Sequence, residues 1–244
     1  MLLTSTVLRR INLSIYTALI GISSSSTVLA SGLTITNYGH SSLLIKGGGH
    51  SVLINPFKAV GCAKGLPEPK VKAQIILASS ELADEGAKVA KGHFLVKPGS
   101  YKVKGLQLEG LAIPHDRFGG RRFGQATLWI WEQGGIRLAH LGGTAAPIHG
   151  EAKVLIGQPD ILIIGVGGGA KVYNGKEAAI IVKELNPHHV IPVQYTKRNK
   201  PKNCNLTDIQ PFLNSTNDIQ VKNVGNVFNI PKIVTKETLI NIMN

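Results

Sequence analysis

The chain has 244 residues, 43% of them hydrophobic, which is enough for a sizeable core and too apolar for general disorder. Its 27 Lys and Arg against 14 Asp and Glu give a formal net charge of +13, which excludes an acidic solvating protein and admits a polyanionic or anionic-surface partner. Two cysteines, Cys62 and Cys204, exclude a disulfide-dense scaffold and a multi-cysteine zinc module and leave one bridge open.

Residues 1–12 carry Arg9 and Arg10 and no acid, residues 13–22 (LSIYTALIGI) form a short apolar run, and a serine tract leads to Val28-Leu29-Ala30. This pattern predicts a signal peptide over 1–30 with cleavage after Ala30, because the run is well short of the roughly 20 residues of a spanning helix. Export to a periplasm, the extracellular space or a lumen is therefore expected, with no membrane span after cleavage. The remaining residues, 31–244, read as one domain.

Three β-like runs follow at 33–37, 42–46 and 51–55, the last two joined by Gly47-Gly48-Gly49. Residues 74–78 (QIILA) read as a buried strand and 84–91 as a short helix. Strands are expected at 106–113, 126–131 and 136–141, the last two joined by Glu132-Gln133-Gly134-Gly135. The rhythm then changes to a helix at 147–156, an apolar strand at 160–165, a helix at 176–185 and a strand at 189–193. A last helix is expected at 207–213 and one or two strands from Asn217. Strand meanders followed by strand–helix alternation predict an α/β fold of two packed sheets with outer helices.

Several segments in chain order resemble the metallo-β-lactamase superfamily, and within it the compact branch similar to ascorbate-phosphate lactonases. They are Tyr38-Gly39-His40-Ser41-Ser42, Leu53-Ile54-Asn55-Pro56-Phe57, Ile113-Pro114-His115-Asp116, Arg137-Leu138-Ala139-His140-Leu141-Gly142, Val166-Gly167-Gly168-Gly169 and Pro192-Val193-Gln194-Tyr195. The resemblance implies an αβ/βα four-layer sandwich of two mixed sheets with outer helices, and a metal-dependent hydrolase ancestry.

It also implies where metal ligands should stand, and most are replaced. The family's H-x-H-x-D-H loop, which gathers imidazoles and a carboxylate around two ions, reads here Ser80-Glu81-Leu82-Ala83-Asp84-Glu85. The bridging aspartate position is Gly143 and a further histidine position is Gln194. Leucine and glycine offer no donor atom, and serine and glutamine are poor zinc ligands. Of the family's ligand positions Asp84 and His115 remain, and Glu85 could join them in a residual set for one divalent cation such as zinc, manganese or iron. The competing reading makes Asp84 the cap of a helix, with Glu85 in its first turn.

His40 and Asp116 are expected at the pocket with Gln194, and Asp116 or a backbone carbonyl is the candidate partner of His115. His140 is expected to pack, and His50, His93, His149, His188 and His189 to lie on the surface. Arg117, Arg121 and Arg122, with Lys197, Arg198, Lys200 and Lys202, form two basic loops that the resemblance places on the rim of one face. The expectations are therefore a degenerate site without cofactor in a non-catalytic binding or structural protein, a residual single-cation hydrolase of esters, lactones or phosphoesters, or a metal-free module for an anionic small molecule or polymer. Scarce aromatics and export disfavour nucleic acid.

Overall fold

The computed structural model describes residues 32–197, 200–231 and 237–244. The expected signal peptide and Arg198 lie outside the described residues.

Among the described residues the strands form two mixed sheets, as expected. The first runs β13 (Val227–Ile230), β1 (Leu33–Gly39), β2 (Ser42–Gly47), β3 (His50–Ile54), β4 (Lys72–Leu77) and β5 (Lys91–Leu95), with β3, β4 and β5 parallel. The second runs β12 (Gln220–Gly225), β14 (Leu239–Met243), β11 (His189–Val193), β10 (Ile161–Gly165), β9 (Ile136–His140), β8 (Gln125–Gln133), β7 (Leu106–Pro114) and β6 (Gly99–Val103). It is antiparallel from β6 to β9 and parallel from β9 through β10, β11 and β14 to β12.

The period of two along each strand divides the core. Leu43 and Ile45 of β2 and Ile75 and Leu77 of β4 face Trp129, Trp131, Leu138 and Ile163 of the second sheet, while Leu44, Leu53 and Ile76 face outward. The strands β10 and β11 are buried on both faces and read as unbroken apolar runs, as parallel strands do. Their outer face is covered by α1 (Gly150–Ile156), α2 (Gly175–Leu185) and α3 (Gln210–Ser215), through Ile156, Ala178, Val182, Leu185 and Phe212. Helix α2 starts cleanly because Asn174 and Glu177 cap each other's backbone N–H groups, and it ends at Asn186 in the left-handed conformation. No helix among the described residues is long and apolar enough to cross a membrane.

The expected helix over 84–91 is absent, and that stretch is a series of turns. Its amides are spent elsewhere: Glu85 and Gly86 N–H donate to the Leu82 carbonyl, Ala87 N–H to Pro56 and Lys91 N–H to Val71. A Cβ at position 86 would stand 1.7 Å from the Ser80 carbonyl oxygen, so glycine is needed where the turn folds back on itself. The outer face of the first sheet is packed instead by Tyr38, Val71, Ala90 and Phe94. The strands β5 and β6, not foreseen in the sequence, lie at sheet edges with largely exposed residues.

Cys62 and Cys204 form a disulfide across a sequence separation of 142. It ties the segment after β3 to the one between β11 and α3, on either side of the sandwich edge described next.

Candidate functional site

The residues that follow β1, β4, β7, β9 and β11 meet at one edge of the sandwich, where the carboxyl ends of parallel strands commonly hold sites. They are His40, Ser79 to Glu85, His115, Gly142-Gly143 and Gln194. Asn55 splints this edge: its Oδ1 accepts from Ser79 N–H at 2.8 Å and Ser79 Oγ at 3.0 Å, and its Nδ2 donates to Ser41 Oγ at 3.2 Å. His40, Asn55 and Gln194 all have left-handed backbones, with φ of 53°, 41° and 51°. Such strain in non-glycine residues gathers where surrounding structure fixes a site.

At the centre lies Glu85, fully buried. Its Oε1 lies 2.7 Å from His115 Nε2, accepts from Ser80 Oγ at 2.8 Å and stands 3.4 Å from Lys171 Nζ. Its Oε2 accepts from Gln194 Nε2 at 3.3 Å. Asp84 does not cap a helix: both its oxygens accept from Lys171 Nζ at 2.9 Å. His40 Nε2 stands 4.0 Å from Asp84 Oδ2 and is buried with no hydrogen-bond partner, as is Gln194 Oε1. Lys171 is not among the residues that the sequence singles out. Its one signal was position, two residues beyond Gly167-Gly168-Gly169, one of the segments that carry the resemblance.

Lys171 is held in place from both sides. Arg117 pairs with Glu177 at 2.8 Å and donates to the carbonyls of Gly169 and Val172 at 2.9 and 3.1 Å, which spans Lys171. Arg117 is thus a brace rather than an open basic group. Asp116 does not partner His115: its carboxylate accepts from the N–H groups of Phe118, Gly120, Arg122 and Phe123, at 2.8 to 3.2 Å, and shapes the loop that carries Arg117. Burial works against its charge, but those four donors hold its carboxyl below the usual range.

Electrostatics follow from the packing. Burial alone would raise Glu85; Lys171, His115 and Ser80 overcome it and hold the carboxyl at about 2. Lys171 is pulled down by burial and pushed up by Glu85 and Asp84, with a net upward shift. Burial lowers His40 despite Asp84 and Glu85, and lowers His140 to about 4. His140 packs as expected, 3.3 Å from Ser79 Oγ.

The signs give a pH dependence. His140 is uncharged in the folded state and takes up a proton in the unfolded state below the ordinary imidazole value of 6.5, so the unfolded chain binds more protons as pH falls from 6.5 toward 4. Glu85 behaves alike between the ordinary carboxyl value of 4.5 and about 2. Stability is therefore expected to fall in two acid steps, each on the order of 3 kcal/mol. Urea midpoints measured from pH 7 to pH 2 check this; a flat profile would contradict it.

The residues present do not fit a divalent ion. Among the described residues no three His, Cys, Asp or Glu side chains group so as to hold one. Leu82 contributes only a backbone carbonyl, Gly143 has no side chain, and Ser80 Oγ is committed to Glu85. The place between the carboxylates of Asp84 and Glu85 is taken by an ammonium, which repels a second cation. A Cβ on residue 143 would stand 2.1 Å from Glu85 Oε2, so Glu85 and a side chain at position 143 exclude each other.

A profile of the beta-lactamase superfamily domain matches residues 34–194. The chain belongs to that family. Its fold is shared with metallo-β-lactamase superfamily structures, among them a protein from Thermotoga maritima provisionally described as a zinc-dependent hydrolase, at 24% identity and TM-score 0.66, covering 87% of this chain and all of that one. A metal-dependent hydrolase, so described provisionally, from Parabacteroides distasonis matches at 19% identity and TM-score 0.57, covering 76% of this chain and 89% of that one. The metallo-β-lactamase-fold protein YhfI from Bacillus subtilis matches at 11% identity and TM-score 0.56, covering 87% and 96%. No curated protein matches.

The remaining predicted residues scatter. Arg121 and Arg122 are exposed; the Arg122 guanidinium lies 5.1 Å over the Phe123 ring and lines a cleft of about 110 Å³ with His40, Asp84, Lys171 and Gln194. Lys197 lines a separate, larger cavity. His50 is half-buried and His93 and His149 are exposed. His188 is half-buried, 3.0 Å from Asp160, while His189 is buried against Asn241 and Phe228 rather than on the surface. It begins β11, where burial on both faces of the sheet decides its environment.

Proposed function

We propose that this family member is an exported, non-catalytic binding or structural protein, in which Lys171 supplies the positive charge that metal ions supply in superfamily hydrolases. The observation that carries the reading is the Lys171 ammonium, 2.9 Å from both Asp84 oxygens and 3.4 Å from Glu85, in a cluster that lacks donors at Leu82 and Gly143. An internal cation of this kind satisfies the carboxylates but cannot act as a Lewis acid or lower the pKa of a bound water as a divalent ion does. Export is supported by the leader pattern and by the Cys62–Cys204 bridge, since disulfides persist in oxidising compartments.

The test is to isolate the protein from the exported fraction and assay it. Its mass should correspond to a chain starting at Ser31. The same sample should show no turnover of p-nitrophenyl acetate, γ-butyrolactone or bis(p-nitrophenyl) phosphate, with or without added zinc or manganese. Turnover that His115→Ala abolishes would instead establish the residual single-cation hydrolase.

A further inference from the structure

The 110 Å³ cleft over the ion-pair cluster is smaller than the roughly 300–1,000 Å³ of typical organic ligand sites. Beside it opens a cavity of about 600 Å³ between the end of β1, the segment that carries Cys62 and the segment after β11. His40 and Cys62 line both, so they form the wall between them.

The larger cavity has two chemical halves. Tyr38, Leu66, Pro67 and Tyr195, which keep accessible surface, give it an apolar body, and Lys64, Lys197 and Lys200 give it basic groups. No aspartate or glutamate lines it. None of the three lysines is in an ion pair among the described residues, and the residues outside the description contain no aspartate or glutamate that could supply one. Lys200 Nζ donates to the Leu206 carbonyl at 3.3 Å, which leaves its charge unbalanced. The oxygen of Asn244, which also lines the cavity, is held by Asn37 Nδ2 at 2.9 Å. The shared wall includes His40, whose buried Nε2 has no hydrogen-bond partner and stands 4.0 Å from Asp84, a residue of the smaller cleft.

We propose that this cavity binds an organic anion of roughly drug size, with a carboxylate, sulfonate or phosphate head at Lys64, Lys197 and Lys200 and an apolar or aromatic body against Tyr38, Leu66, Pro67 and Tyr195. Neither half alone selects this class: basic groups by themselves take up inorganic anions, and an apolar pocket by itself does not discriminate charge. The proposal deepens the binding reading given above and rests on it. The disulfide that joins Cys62 to Cys204 braces the wall.

The probes are 8-anilinonaphthalene-1-sulfonate and N-phenyl-1-naphthylamine, which share an aromatic body and differ in the sulfonate. Fluorescence titration of the folded chain should give one sulfonate probe per chain, bound more tightly than the neutral one. Replacing both Lys64 and Lys200 by alanine should weaken the sulfonate about tenfold and the neutral probe less than about twofold. Lys222→Ala, an exposed lysine on β12, should change neither. Leu66→Trp, which fills the cavity, should abolish both while circular dichroism stays native. Equal affinity for the two probes, or a sulfonate affinity unchanged in the Lys64→Ala/Lys200→Ala variant or lowered equally by Lys222→Ala, would overturn the proposal. Absence of turnover in the hydrolysis assay alongside absence of probe binding would remove this ligand class and leave the non-catalytic reading intact.

Discussion

Replacing Lys171 by methionine is expected to cost about 3–5 kcal/mol, because it leaves the carboxylates of Asp84 and Glu85 partly or fully buried without their cation. For a domain of this size the loss corresponds to a fall in melting temperature of roughly 10 °C or more. The reason is asymmetric: a buried pair adds modest net stability when complete, but removing one partner leaves the full desolvation penalty of the other. The second half of the cycle makes the attribution specific. Lys171→Met combined with Glu85→Gln should recover part of the loss, since the neutral amide keeps the shape and removes the stranded charge, and a coupling of about 1–3 kcal/mol is expected. Additive effects in the double variant would show that Lys171 acts through something other than Glu85.

Restoring an aspartate at position 143 is expected to be as damaging. Its Cβ would stand 2.1 Å from Glu85 Oε2 and 2.9 Å from Glu85 Cδ, and its carboxylate would join two others beside a single ammonium. Steric overlap of this kind costs about 1–3 kcal/mol even without charge. Adding an unpaired buried carboxylate should bring the loss for Gly143→Asp to about 4 kcal/mol or to failure to fold. Gly143→Ala isolates the steric part. It should cost about 2 kcal/mol in the parent chain and much less beside Glu85→Ala, where the space is open. Urea denaturation of the four proteins measures this, and a Gly143→Ala variant as stable as the parent would contradict the exclusion between residues 85 and 143.

The sandwich was legible in the sequence wherever burial on both faces wrote itself as an apolar run, as in 160–165 and 189–193, or where glycine pairs marked hairpins between β2 and β3 and between β8 and β9. The edge strands β5 and β6 left little trace, because Lys91-Gly92-His93 and Gly99-Ser100 bury almost nothing and need no alternation. Residues 84–91 were misread for the opposite reason. Their composition suits a helix, but the long-range pull of Glu85 into the cluster and the close approach at Gly86 override a weak local preference.

The site was legible as loss. The replaced positions Ser80, Leu82, Glu85, Gly143 and Gln194 pointed to a candidate site, and the fold places all of them at or beside one cluster. Its replacement chemistry was not legible, because Lys171 lies 86 residues from Glu85 in sequence and only the packing of the Arg117-braced loop brings the two together. Basic residues were likewise easier to count than to place. Arg117 proved to be internal bracing, Arg122 faces the small cleft, and Lys197 belongs to the larger cavity.

In the proposed function an ammonium has taken the place of metal in this cluster. The most direct test is elemental analysis of the parent protein, incubated with zinc, manganese and ferrous iron and then dialysed against metal-free buffer. Far less than one ion per chain is expected for each metal. One or more ions per chain surviving dialysis, and lost in His115→Ala, would contradict it.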